Sequence, residues 1–118
     1  MTIRMPLVAA QTGIWMAEKL SSLPNAWSVA HYVELTGELD AGLLAKAIVA
    51  GVAQADTLQM RFSEEDGEVW QWVDDSLTFP TPPLTDLRHE GDAHAAALAL
   101  MQADLNQDLR VDSGKPLV

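Results

Sequence analysis

The stretch that most constrains this chain runs from Leu58 to Asp74, where two alternating segments flank Glu64-Glu65-Asp66-Gly67. Leu58 to Ser63 and Glu68 to Asp74 read as the arms of a β-hairpin, and Gly67 suits the positive φ that a tight turn demands. Successive side chains on a strand point to opposite faces. Trp70 and Trp72 therefore share one face of the second arm, and Val69, Gln71 and Val73 share the other.

Three helices, one further strand and the start of another are expected around this hairpin. Ala9 to Leu20 reads as a helix whose stripe is Ala10, Ile14, Ala17 and Ser21, with Leu20 beside it. Pro6 precedes it, and Ser21 to Pro24 stops it. Ser28 to Glu38 reads as a strand, with Val29, His31, Val33 and Leu35 on one face and Ala30, Tyr32, Glu34 and Thr36 on the other. Asp40 is a good N-cap for a helix over Ala41 to Ala55. There Leu44, Ala47, Ile48, Gly51, Val52 and Ala55 recur at helical spacing, and Gly51 on that stripe suits close packing on a sheet. Phe79-Pro80-Thr81-Pro82-Pro83 is a stiff connector within one domain. The third helix spans Asp92 to Asp108, with Ala97, Leu98, Met101 and Leu105 as its stripe. Gly114 to Val118 begins a strand.

The expected order is α-β-α-β-β-α, an α/β fold of the α+β sandwich kind with helices on one face of a small, incomplete sheet. About three strands is fewer than a sheet usually has. Edges and apolar faces are left uncovered, so the isolated piece is expected to be marginal or self-associating.

Charge excludes whole classes of function. Seventeen acidic against seven basic residues give a net charge of −10, and the basic residues form no stripe. Such a field repels nucleic acid and anionic lipid. There is no cysteine for a disulfide or thiolate site. No apolar run approaches the ~20 residues of a membrane span, and the N-terminus does not read as a signal peptide. A cytoplasmic location fits these facts. G-x-S-x-G, P-loop and G-x-G-x-x-G patterns are absent, and the glycines are isolated.

The histidines offer little. His89-Glu90-Gly91-Asp92-Ala93-His94 misses the H-E-x-x-H spacing that sets two imidazoles one turn apart, so it reads as a loop and helix start rather than a metal site. His31 reads as a sheet or core histidine. Trp70 and Trp72 form either an aromatic ligand surface or a packing face. The carboxylates around the hairpin, Glu64, Glu65, Asp66, Glu68, Asp74 and Asp75, read as solvated.

Three segments together resemble the condensation domains of nonribosomal peptide synthetases. Leu7-Val8-Ala9-Ala10-Gln11-Thr12-Gly13-Ile14-Trp15 is similar to the opening motif S-x-A-Q-x-R-[LM]-[WY], matched at Ala10, Gln11, Ile14 and Trp15; Val8 and Gly13 depart from it. Asp56-Thr57-Leu58-Gln59-Met60-Arg61-Phe62 is similar to H-E-x-L-R-T-x-F, with Gln59 in the arginine's place. Asp108 to Leu117 is similar to D-L-x-x-G-P-L-[LV], with an insertion before Pro116.

The resemblance implies that residues 1–118 form part of the first lobe of a chloramphenicol-acetyltransferase-like, two-lobed domain. It implies amide formation between two thioesters held on the phosphopantetheine arms of carrier domains. The wording is similar to that of serine-activating synthetases of catechol siderophores, which implies a 2,3-dihydroxybenzoyl donor from an aryl carrier and a seryl acceptor on a peptidyl carrier. The family's catalytic H-H-x-x-x-D-G motif is not in this sequence, so the piece alone is expected to be inactive, with no catalytic residue and no cofactor or metal of its own. Gln11, Trp15 and Arg61 are the candidates for structural support of the channel between lobes. Arg61 is also the candidate to replace the arginine lost at Gln59, if both face one side of a strand; its other reading is an exposed strand arginine near Glu64 and Glu65. The rival reading of the whole chain is a stand-alone interaction domain using its sheet edge or tryptophans.

Overall fold

The computed structural model describes residues 2–23 and 26–107. In chain order it contains β1 (Met5–Pro6), α1 (Ala9–Leu20), α2 (Ala41–Ala53), a 3₁₀ turn (Asp56–Gln59), β2 (Met60–Glu65), β3 (Glu68–Val73) and α3 (Ala93–Leu105). The third family-like segment and the expected last strand lie outside the described residues.

The hairpin forms where local chemistry demands it. β2 and β3 pair antiparallel from Met60↔Val73 to Glu65↔Glu68, leaving Asp66 and Gly67 as a two-residue turn. Both have positive φ, 53° and 80°, as a right-twisted hairpin turn requires. The turn is shorter than expected, because Glu64 and Glu65 join the ladder. At the other end Leu58 and Gln59 leave it for the 3₁₀ turn. β1 adds a short antiparallel strand to the far side of β3, with Met5 opposite Gln71, so β3 is central in the order β1-β3-β2.

The caps match their residues. The Asp40 side chain accepts from the Leu43 amide and the Asp92 side chain from the Ala95 amide, each at 2.9 Å. Both occupy an orphan donor of a first turn. At α1 the N-cap is Val8, which has no acceptor. Gln11 reaches back instead, its Oε1 accepting the Val8 amide at 2.9 Å, which is the return half of a capping box.

Two expectations fail for want of a partner. Residues 28–38 form no ladder, so the observed order is β-α-α-β-β-α rather than α-β-α-β-β-α. Val29 and Val33 are 80% and 79% exposed. The alternation is written in the sequence, but a strand exists only through its neighbour, and no described segment pairs with this one. His31 is accordingly exposed rather than a sheet or core histidine. The second failure concerns α1, which does not pack through Ile14 and Leu20, both largely exposed. It packs through Gln11 and Trp15, one turn apart on the adjoining face.

The other helices tell the same story. In α2 the half-buried positions are Ala41, Ala45, Val49 and Val52, while Leu44 and Ile48 face outward. Gly51 meets nothing that its missing Cβ would touch. α3 half-buries Ala97, Met101 and Leu105 as expected but leaves Leu98 exposed.

Among the described residues Trp15 is the single buried hydrophobic side chain. The accessible surface is 9314 Å², against about 6,300 Å² for a self-contained monomer of this mass. Leu43, Leu44 and Ile48 of α2 and Leu98 and Leu100 of α3 are exposed among the described residues.

Candidate functional site

Among the described residues, α1 meets the hairpin through a packed tryptophan and a pair of side-chain amides. Trp15 is 5% exposed and lies tilted against Phe62, with ring centroids 6.1 Å apart. One turn earlier on the helix, Gln11 meets Gln71. Gln11 Nε2 donates to Gln71 Oε1 at 2.7 Å, and Gln71 Nε2 donates to Gln11 Oε1 at 2.9 Å. Gln71 Nε2 also donates to the Pro6 carbonyl at 3.1 Å. Gln71 is 6% exposed, and this network is what makes its burial tolerable. Two amides thereby join β1, the start of α1 and β3.

Beside this clasp runs an open groove of about 430 Å³ between α1 and the hairpin tip, whose lining includes Trp15, Met16, Glu64 and Val69. Lys19 stands at its rim. Its ammonium lies 5.3 Å from the Trp15 ring centre and donates to Glu64 at 2.7 Å.

The opposite sheet face holds Trp70 and Trp72. The Arg4 guanidinium lies 5.7 and 5.2 Å from their ring centres. Arg4 also grips Glu65 with two nitrogens, at 2.6 and 3.2 Å, and donates to Ser63 Oγ at 2.7 Å. Donation by Arg4 holds the Glu65 carboxyl below its usual range. Most of the carboxylates at the hairpin tip are exposed, as expected, but Glu64 and Glu65 each carry a cation.

Arg61 is on β2, paired with Asp74 at 3.4 Å, and both side chains are mostly covered. The Asp74 carboxyl is held below its usual range first by the Ser76 hydroxyl and then, after the Ser76 amide, by Arg61. Gln59 and Arg61 do not share a strand face, because Gln59 belongs to the 3₁₀ turn. Its side chain instead bonds the Ala53 carbonyl at 2.7 Å. The structure thus brings Gln11 and Trp15 together and sets Arg61 apart from them. Sequence reasoning picked Gln11 but missed its partner. The available signal was Gln71, a polar residue between Val69 and Val73 on an inward-facing row.

His31, His89 and His94 are exposed, and among the described residues no group of three metal-type side chains converges. No described helix is long and apolar enough to cross a membrane.

Helices combined with a small antiparallel sheet fit the chloramphenicol acetyltransferase-like fold of condensation domains. The family model named Condensation domain matches residues 2–118, and the chain belongs to that family. It is 74% identical over all 118 residues to enterobactin synthase component F of Escherichia coli K12. It is 36% identical over 93 residues to the vanchrobactin synthetase VabF of Vibrio anguillarum. Among solved structures, the starter condensation domain of the rhizomide synthetase RzmA, in complex with C8-CoA, superposes with a TM-score of 0.75 at 30% identity. That match covers 94% of this chain and 25% of the other. The chain spans 9% of the length of the E. coli relative and 3% of the Vibrio one.

Proposed function

We propose that these residues are part of the first lobe of a condensation domain in a siderophore-forming nonribosomal peptide synthetase. The domain joins a carrier-bound 2,3-dihydroxybenzoyl thioester to the amine of a carrier-bound serine. The observation that supports this most is the identity of 74% over the whole chain to enterobactin synthase component F. The donor and acceptor ride on phosphopantetheine arms of carrier domains, which are the partners. The setting is cytoplasmic.

The chemistry needs an amine aligned with a thioester, one proton moved and one oxyanion stabilised. The residues present here supply alignment only. Gln11 and Trp15 hold α1 on the hairpin, and Arg61, through Asp74, stiffens the start of that hairpin; Gln11, Trp15 and Arg61 thereby support one wall of the channel. The proton transfer belongs to the H-H-x-x-x-D-G motif that this sequence lacks.

The test is reconstitution. Full-length protein with charged carrier domains is expected to yield the N-acylserine amide, detected by mass spectrometry, and the 118-residue piece none. Amide formed by the piece alone, or none by the full-length protein with both carriers charged, contradicts the reading.

A further inference from the structure

Gln59 occupies a junction. It ends the 3₁₀ turn and is 8% exposed. Its Nε2 donates at 2.7 Å to the carbonyl of Ala53, the last residue of α2. Its own backbone carbonyl accepts the Asp74 amide at 2.9 Å, one step beyond the Met60↔Val73 pair. One residue therefore ties the end of a helix to the open end of the hairpin.

Tightened backbone bonds cover two of the last carbonyls of α2, Gly51 accepting the Gln54 amide at 3.2 Å and Val52 the Ala55 amide at 3.1 Å, while that of Ala53 accepts the Gln59 side chain. No basic residue lies in its last turn, and its C-cap is Gln54 in a right-handed conformation rather than a left-handed glycine. The carbonyl end of a helix carries partial negative charge, so the position favours a hydrogen-bond donor and opposes a carboxylate.

We propose that Gln59 is a positioning residue for amide formation: as a hydrogen-bond donor to Ala53 it fixes α2 against the first residues of β2, Arg61 among them. The role requires a donor, and Gln59 acts through α2 rather than on the substrate. This rests on the functional reading given above.

The experiment compares Gln59→Glu, Gln59→Leu and Gln59→Arg in the full-length protein, with kcat and KM for charged carriers measured between pH 6 and pH 8. Gln59→Glu is nearly isosteric but replaces the donor with a carboxylate facing a carbonyl oxygen. It is expected to lower kcat about tenfold at pH 8 with little change in KM. Desolvation and the helix end raise the pKa of that carboxyl, and its protonated form donates again, so turnover recovers relative to wild type towards pH 6. Gln59→Leu stays impaired at both pH values. Gln59→Arg, which keeps a donor, retains most of the turnover. Wild-type turnover in both Gln59→Glu and Gln59→Leu overturns the proposal, as does a Gln59→Glu defect that ignores pH. If Gln59→Glu fails to fold, the remaining pair decides: an active Gln59→Arg beside an impaired Gln59→Leu supports the proposal, and equal behaviour overturns it. An inactive wild-type protein instead defeats the functional reading on which the proposal stands.

Discussion

Gln11 and Gln71, sixty positions apart, bond to each other in both directions through their side-chain amides, at 2.7 and 2.9 Å. Few buried groups can be satisfied so economically. Each amide offers one donor and one acceptor to the other, with capacity left for the Val8 amide and the Pro6 carbonyl. The family's opening motif thus has a structural meaning in this chain: the glutamine is a clasp.

That clasp can be tested by pairs. Gln71→Leu leaves Gln11 facing an apolar group and is expected to destabilise by about 1–3 kcal/mol. Gln11→Leu should act similarly. The double variant should be less damaging than the sum of the two, since both orphaned groups are removed together. Urea unfolding of the four proteins, followed through tryptophan fluorescence, measures the coupling. Strict additivity contradicts the clasp.

Trp15 anchors the same interface. Trp15→Ala is expected to cost about 3–5 kcal/mol, enough to detach α1 from the hairpin. Trp15→Phe keeps the contact with Phe62 and should lose much less. Far-ultraviolet circular dichroism with urea titration reports both.

The Arg4–Glu65 pair predicts a pH response. Glu65 has a depressed folded-state pKa, so its stabilising contribution is fully present above the ordinary carboxylate range and is lost as pH falls through the folded value. Arg4 lies over Trp70 and Trp72, and its release should change their fluorescence in acid. Glu65→Gln should remove that component of the titration. An identical acid titration in Glu65→Gln contradicts the assignment.

Much of this was legible because it is local. The hairpin with Gly67 in its turn, the aspartate cap at 40 and the alternation of Trp70 with Gln71 depend on neighbours within a few residues, and the structure has them all. What was not legible depended on distance. The stripe of Ile14 and Leu20 is a genuine amphipathic signal, but it names a face without naming what covers it, and Trp15 and Gln11 found the hairpin first. Gln59 looked like a strand residue aligned with Arg61. It lies instead at the end of a 3₁₀ turn, its side chain bonded to the carbonyl of Ala53 six residues earlier. The channel roles proposed for Gln11, Trp15 and Arg61 depend on surroundings beyond these residues.

Arg61 allows a sharper separation. Its pair with Asp74 sits near the open end of the hairpin, so Arg61→Ala in the full-length protein should lower amide-forming turnover several-fold while shifting the melting temperature little. Unchanged turnover together with unchanged stability removes Arg61 from the list of supporting residues.

The central physical claim is that these faces belong against a larger body, and residues 28–38 test it most directly. They form no ladder, carry Val29, Val33 and Leu35 on one alternating row and are exposed along nearly their whole length. Amide hydrogen exchange should be fast over this segment in the 118-residue chain held monomeric by dilution. It should be slow in the full-length protein, where a strand partner is expected. Fast exchange in both, or strong protection in the monomeric piece, contradicts the account.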